Sequence, residues 1–88
     1  MNVVFSAHAW QDYRYWCEED RKQLERLNGL IEECRRNPFK GSGKPEPLRG
    51  ELAGLWSRRI NQRDRIVYRV AGKGSEQRLE IVQCRGHY

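Results

Sequence analysis

The chain is 88 residues long, with 17 Lys and Arg against 12 Asp and Glu, a net charge of +5, 2 His and 3 Cys. A chain this short buries roughly 60% of its unfolded surface, enough for one modest core, so residues 1–88 are expected to form a single domain. No apolar run approaches the ~20 residues of a membrane span, and Met1-Asn2-Val3-Val4-Phe5 lacks the charged and apolar regions of a secretory signal, so a soluble cytoplasmic protein without membrane contacts is expected.

Residues 2–5 read as a short strand. Ser6 offers an N-cap for a helix over roughly 7–18, with Trp10, Tyr13 and Trp16/Cys17 along one face. Asp20 caps a second helix, with Gln23 in the reciprocal box position. Leu24, Leu27, Leu30, Ile31 and Cys34 recur there at helical spacing, while Glu25, Arg26, Glu32, Glu33 and Arg36 fill the other face. Glu32 and Arg36 form a favourable i,i+4 pair, and Asn37-Pro38 ends the helix. Residues 37–50 are one long loop, whose flexible Gly41-Ser42-Gly43 meets a stiff Pro45-Glu46-Pro47. The flanking prolines leave Glu46 few alternatives to an extended conformation.

Three strands follow, over 55–60, 65–70 and 78 to about 85, separated by turns at 61–64 and 71–77. Turns this short predict antiparallel neighbours. Alternation puts Trp56, Arg58 and Ile60 opposite Ser57 and Arg59, and Ile66, Tyr68 and Val70 opposite Arg65, Val67 and Arg69. The pattern predicts an α+β fold: an N-terminal strand and two helices packed on one face of a small antiparallel sheet. The opposite face collects arginines. The last strand carries apolar residues on both faces, so alternation leaves open the side from which His87 departs.

The three cysteines are odd in number, widely spaced and without a C-x-x-C pair, so neither a zinc site nor a disulfide framework is indicated, and each is expected to act as a small buried hydrophobe. No cofactor or metal is expected. His8, near a helix start, is expected to be a plain surface residue. The 17 cations comprise 13 Arg and 4 Lys. Arginine's planar fork matches phosphate geometry, so this bias points to a nucleic acid or an acidic protein as partner. An arginine-lined face, a constrained Glu46 and a His87 placed directly after a core strand are also the ingredients of metal-independent RNA cleavage. That reaction needs a base for the ribose 2′-OH, an acid for the departing 5′-oxygen and cations for the charge gathering on phosphorus.

The linear order of motifs is more specific than any one of them. Gly43-Lys44-Pro45-Glu46-Pro47-Leu48, Gly54-x-Trp56-Ser57-Arg58-Arg59-Ile60, Arg65-x-Val67-Tyr68 and Cys84-Arg85-x-His87-Tyr88 closely resemble the Txe/YoeB toxins of bacterial toxin–antitoxin systems. These belong to the RelE-like group of ribosome-dependent mRNA interferases, with a microbial ribonuclease-like fold. Trp10, Asp12-Tyr13, Tyr15-Trp16 and Arg35-Arg36-Asn37-Pro38-Phe39 extend the resemblance over essentially the whole chain. It implies an endoribonuclease that cuts translated mRNA in the ribosomal A site without metal. Glu46 would be the general base, His87 the general acid, Arg65 the main phosphate ligand with Arg59 in support, and Tyr88 a substrate-orienting group. Lys44, Arg58 and Arg85 would contact the RNA backbone or ribosomal RNA.

The implied partners are the 70S ribosome with its mRNA and a small acidic antitoxin, with DNA reached only through the antitoxin complex; homodimers are implied as well. Two other readings stay open, a non-catalytic basic module that blocks translation by occupancy and a subunit that serves mainly in autoregulation. Two positions depart from the family pattern. Asp64 stands where relatives often carry histidine, which leaves any auxiliary role of that histidine in doubt. Gly86 stands where they often carry an aromatic residue, and a glycine there is expected to loosen the tail.

Overall fold

The computed structural model describes residues 1–87. Strand β1 (Asn2–Phe5) leads into helix α1 (Ala7–Glu19), which starts where the Ser6 side chain accepts the Ala9 N–H. Helix α2 (Arg21–Arg36) starts the same way, with the Asp20 carboxylate accepting the Gln23 N–H, and ends on Asn37. The reciprocal half of that capping box is not made, because the Gln23 side chain instead accepts from Asn61 Nδ2 at 2.9 Å. On the exposed side of α2, Glu32 pairs with Arg35 at 2.9 Å rather than with Arg36. No described helix is long and apolar enough to cross a membrane.

Strands β2 (Glu46–Pro47), β3 (Trp56–Arg59), β4 (Arg65–Ala71) and β5 (Arg78–Gln83) complete one sheet of order β1-β5-β4-β3-β2. The long loop is therefore not wholly irregular, since its Pro45-Glu46-Pro47 stretch holds the edge strand. The last three strands form the expected antiparallel meander, and β2 extends it by pairing antiparallel with β3. However, β1 joins β5 in parallel, so the sheet is mixed rather than antiparallel. That pairing links residues 76 apart, from Asn2 to Arg78, and no local turn signal announces it.

The ambiguity of the last strand has a physical cause. Val67 pairs with Gln83 and Tyr68 with Ile81, which leaves Val82 as the extra residue of a β-bulge. Leu79 and Ile81 face the helices, and strict alternation would send Gln83 after them. The bulge turns Gln83 to the helix-free face beside Val67 and returns Cys84 to the core, fully buried. Helix α1 then holds Cys84 at both ends of its peptide: Cys84 N–H donates to Asp12 Oδ2 at 3.0 Å, and Trp16 Nε1 donates to the Cys84 carbonyl at 2.8 Å.

Ala9, Trp16, Leu27, Leu30, Ile31 and Cys34 of the helices pack on Ile66, Tyr68, Leu79 and Ile81. The α1 stripe is only partly core: Trp10 is half exposed and stacks on Tyr13, while Cys17 faces solvent, against the expectation that all three thiols are buried.

Arg58 departs most from expectation. It is 0% exposed, and its guanidinium is fully committed inside the protein. Nε donates to Tyr68 Oη, Nη1 to the Ser42 carbonyl, and Nη2 to the carbonyls of Asn37 and Lys40 at 2.6 and 2.8 Å. Glu33 Oε1 lies 3.7 Å away and also accepts the Ser42 amide, and hydrogen bonding from Ser42 holds the Glu33 carboxyl below its usual range, with Arg58 adding to the effect. Tyr68 closes the set by donating to the Pro38 carbonyl at 2.6 Å. The expected RNA contact by Arg58 is therefore corrected: its forked donors wrap residues 37–42 around one buried cation. Gly41 permits the wrap, because a β-carbon there would stand 2.6 Å from Glu33 Oε1 and its φ is +124°.

Removing this guanidinium leaves one buried and three partly buried acceptors without their donor, at up to about 1–3 kcal/mol each. Arg58→Ala is expected to cost about 3 kcal/mol or more in urea unfolding. Arg58→Lys, which keeps the charge but not the fork, is expected to cost about 2 kcal/mol. A change under 0.5 kcal/mol for both would refute the anchoring role.

Burial pushes the Cys34 thiol up and the Cys84 thiol up to about 12, the latter with help from the Asp12 carboxylate. A thiol reagent at neutral pH is expected to label Cys17 alone in the native protein and all three thiols after denaturation. The native state keeps these two protons where the unfolded thiols ionise. Their contribution to stability is therefore complete below the ordinary thiol value of 9.0 and is lost as pH climbs above it, for Cys84 toward about 12.

Candidate active face of the sheet

Cross-strand partners share a face, so register alone assembles the site. Glu46 pairs with Ser57, Ser57 with Val67 and Val67 with Gln83, a row running across the helix-free face from the edge strand to the bulge. One step along, Arg59 lies directly opposite Arg65. Ser57 and Val67 are buried within this face, while Glu46 and Arg59 are exposed and Arg65 is half-buried.

Each polar group is held by a different element. Glu46 sits in a two-residue edge strand between Pro45 and Pro47, a place where proline is tolerated because one side of the backbone needs no ladder. The approach to it is fixed by Gly43, whose carbonyl accepts the Arg59 N–H at 2.7 Å. A β-carbon on Gly43 would meet the Arg59 carbonyl at 2.9 Å, and its φ is +81°. Lys44 follows in a left-handed conformation, φ +54°, and is exposed.

Arg65 is steadied by the turn before it: Nη1 donates to the carbonyls of Asn61, Gln62 and Asp64 at 2.9, 3.2 and 3.1 Å. Two like charges placed directly opposite on a sheet repel each other, so the Arg59–Arg65 pair is a place where a bound anion relieves a built-in cost.

His87 is exposed, and its carbonyl accepts from Gln83 Nε2 at 3.2 Å. The residue before it is bound on both sides. Gly86 N–H donates to Asp64 Oδ1 at 2.7 Å, and the Arg65 N–H donates to the Gly86 carbonyl at 3.0 Å. The expectation that Gly86 loosens the tail is thus overturned: it ties residues 85–87 to the start of β4. Arg85 is exposed and lies 3.4 Å over the centre of the Tyr15 ring, beside this segment. Tyr88 lies outside the described residues.

The site therefore gathers Glu46, Arg59 and Arg65 on one face and fastens the His87-bearing segment to Arg65. Arg58 is absent from it, and Lys44 and Arg85 lie in the segments flanking it. Asn61 and Asp64 were missed as contributors. Asp64 showed in the sequence as an isolated oddity, and nothing in the spacing connects position 64 with position 86. Among the described residues, no three His, Cys, Asp or Glu side chains are grouped to hold a metal ion. A carboxylate, an imidazole and opposed guanidinium groups can together take a proton, give a proton and hold a phosphate between them.

Comparisons with known proteins identify the family. Residues 5–88 match the model of the YoeB-like toxin of bacterial type II toxin–antitoxin systems. The chain is 51% identical to Toxin YoeB of Streptomyces coelicolor, with both chains covered in full. It superposes on a YoeB/ParE toxin from Agrobacterium tumefaciens with a TM-score of 0.97 at 53% identity, again over all of both chains. It also superposes on a heterotetrameric YoeB–YefM toxin–antitoxin complex from Staphylococcus aureus with a TM-score of 0.87 at 38% identity, covering 100% of this chain and 98% of the other. On this likeness over its whole length, the chain belongs to the YoeB-like toxins of bacterial type II toxin–antitoxin systems.

Proposed function

We propose that this toxin is a ribosome-dependent endoribonuclease that cleaves translated mRNA by acid/base catalysis with its own side chains. The observation that carries this reading is the joint placement of Glu46, Arg59 and Arg65 on the helix-free face, with the segment bearing His87 hydrogen-bonded to the Arg65 amide. Glu46 takes the proton from the ribose 2′-OH, whose oxygen attacks the adjacent phosphorus. Arg65, supported by Arg59, holds the non-bridging oxygens as charge builds on them. His87 gives its proton to the departing 5′-oxygen, leaving a 2′,3′-cyclic phosphate. Tyr88 orients the substrate in this scheme, as the family resemblance implies.

The exposed cations Lys44, Arg59 and Arg85 serve as contacts to the RNA backbone or ribosomal RNA. The same basic surface suits a small acidic antitoxin, in keeping with the antitoxin bound to the Staphylococcus aureus relative. DNA is reached through that complex.

Primer extension on a translated mRNA tests the chemistry. Glu46→Ala and His87→Ala are each expected to lower the single-turnover cleavage rate by about 10²–10⁴ while the protein still melts as a folded domain. Growth arrest by both variants at full potency with intact mRNA would instead identify a non-catalytic block of translation. Binding should also weaken steeply with salt. Arg59→Ala is expected to reduce the slope of log affinity against log salt by about 0.7, the value of one phosphate contact on a single strand.

A further inference from the structure

The segment that follows β5 is held by a turn on the other side of the active face. Residues 60–64 form that turn, and its hydrogen bonds converge on Asp64, which is 3% exposed. Asn61 Oδ1 accepts the amides of Arg63 and Asp64 at 2.8 Å each, and the Ile60 N–H donates to the Asp64 carbonyl at 2.9 Å. The Asp64 carboxylate is then divided: Oδ2 accepts from Asn61 Nδ2 at 2.9 Å, and Oδ1 accepts the Gly86 N–H at 2.7 Å. Arg63 stands 3.9 Å from Oδ2, too far for a hydrogen bond. The same turn supplies the three carbonyls that hold Arg65 Nη1.

Gly86 itself has φ +80°, and a β-carbon there would meet nothing within 4 Å. Glycine is thus required by backbone conformation and not by space. The two positions that depart from the family pattern are each other's hydrogen-bond partners.

We propose that Asp64 and Gly86 are a matched pair of positioning residues that fix His87 relative to Arg65. The inference rests on the reading of His87 as the general acid. Asp64 touches no substrate; it orders the backbone one residue before the imidazole, through a charge-assisted bond to the Gly86 amide. One short turn thereby sets both the cation that receives the phosphate and the group that protonates the leaving oxygen. A misplacement of about 1 Å at such a group costs on the order of 10²-fold in rate.

The test uses the full chain on programmed ribosomes, with single-turnover cleavage of a model mRNA and a thermal melt of every variant. Asp64→Ala and Gly86→Ala are expected to slow cleavage by roughly 10–100-fold. In a His87→Ala background, Asp64→Ala should add less than about 3-fold, because groups acting as one unit are not additive. On an mRNA whose scissile 5′-oxygen is replaced by sulfur, the leaving thiolate needs no proton, and the Asp64→Ala defect should shrink to within about 3-fold of wild type.

A rescue covers the case in which Asp64→Ala does not fold. Asp64→Asn alone makes one acceptor a donor, facing either Asn61 Nδ2 or the Gly86 N–H. The double exchange Asn61→Asp with Asp64→Asn restores every bond once the Gln23 amide rotates, so it should recover the wild-type rate to within about 3-fold. Additive defects in the His87→Ala background, or a double exchange as slow as Asp64→Asn, would overturn the positioning role while leaving a large His87→Ala defect, and so the cleavage reading, intact. Wild-type cleavage by His87→Ala would bring down both.

Discussion

A charged side chain at the centre of the fold organises the half of the molecule that carries Glu46. Arg58 occupies a core position on β3, where an aliphatic residue would satisfy the hydrophobic pattern, and it makes four hydrogen bonds, to Tyr68 and the carbonyls of residues 37, 40 and 42. A buried cation is expensive to desolvate unless every donor is met. Its partners must therefore come to it, and the loop after α2 has essentially one way to do so. The loop leaves that cation running along β3, through Gly43, into the two residues that become β2.

The far end of the candidate face is organised by opposite means. There the organiser is a buried anion, Asp64, whose oxygens are met by Asn61 and by the Gly86 amide. The sheet thus stands between two interior charges, a cation under the edge that carries Glu46 and an anion under the segment that carries His87. Each holds main chain as well as a neighbouring side chain: Arg58 the carbonyls of residues 37, 40 and 42 with the Tyr68 hydroxyl, and Asp64 the Gly86 amide with the Asn61 amide.

Much of this was legible in the sequence because it is periodic or local. The Ser6 and Asp20 caps, the α2 stripe from Leu27 to Cys34 and the β3–β4 hairpin follow from spacing alone. The reading failed where partners are distant or alternation breaks. The parallel seam between Asn2–Phe5 and residues 78–81 has no local signal, and the Val82 bulge silently exchanges the two faces of β5. Arg58 obeyed the alternation that placed it beside Trp56 and Ile60, facing the helices, yet its residue type argued for the surface. Position was the better guide. The motif order singled out Glu46, Arg59 and Arg65, which the register brings to one face, but the coupling of Asp64 to Gly86 lies across 22 residues and could only be seen in space.

The parallel seam also has a consequence for how the protein comes into being. β1 is synthesised first but has no strand beside it until residues 78–81 emerge, a separation that makes its pairing one of the slow, high-entropy steps of folding. The β3–β4 hairpin needs only a short turn and can close much earlier. As the chain folds, the opposed Arg59 and Arg65 can therefore come together ahead of the seam that completes the sheet.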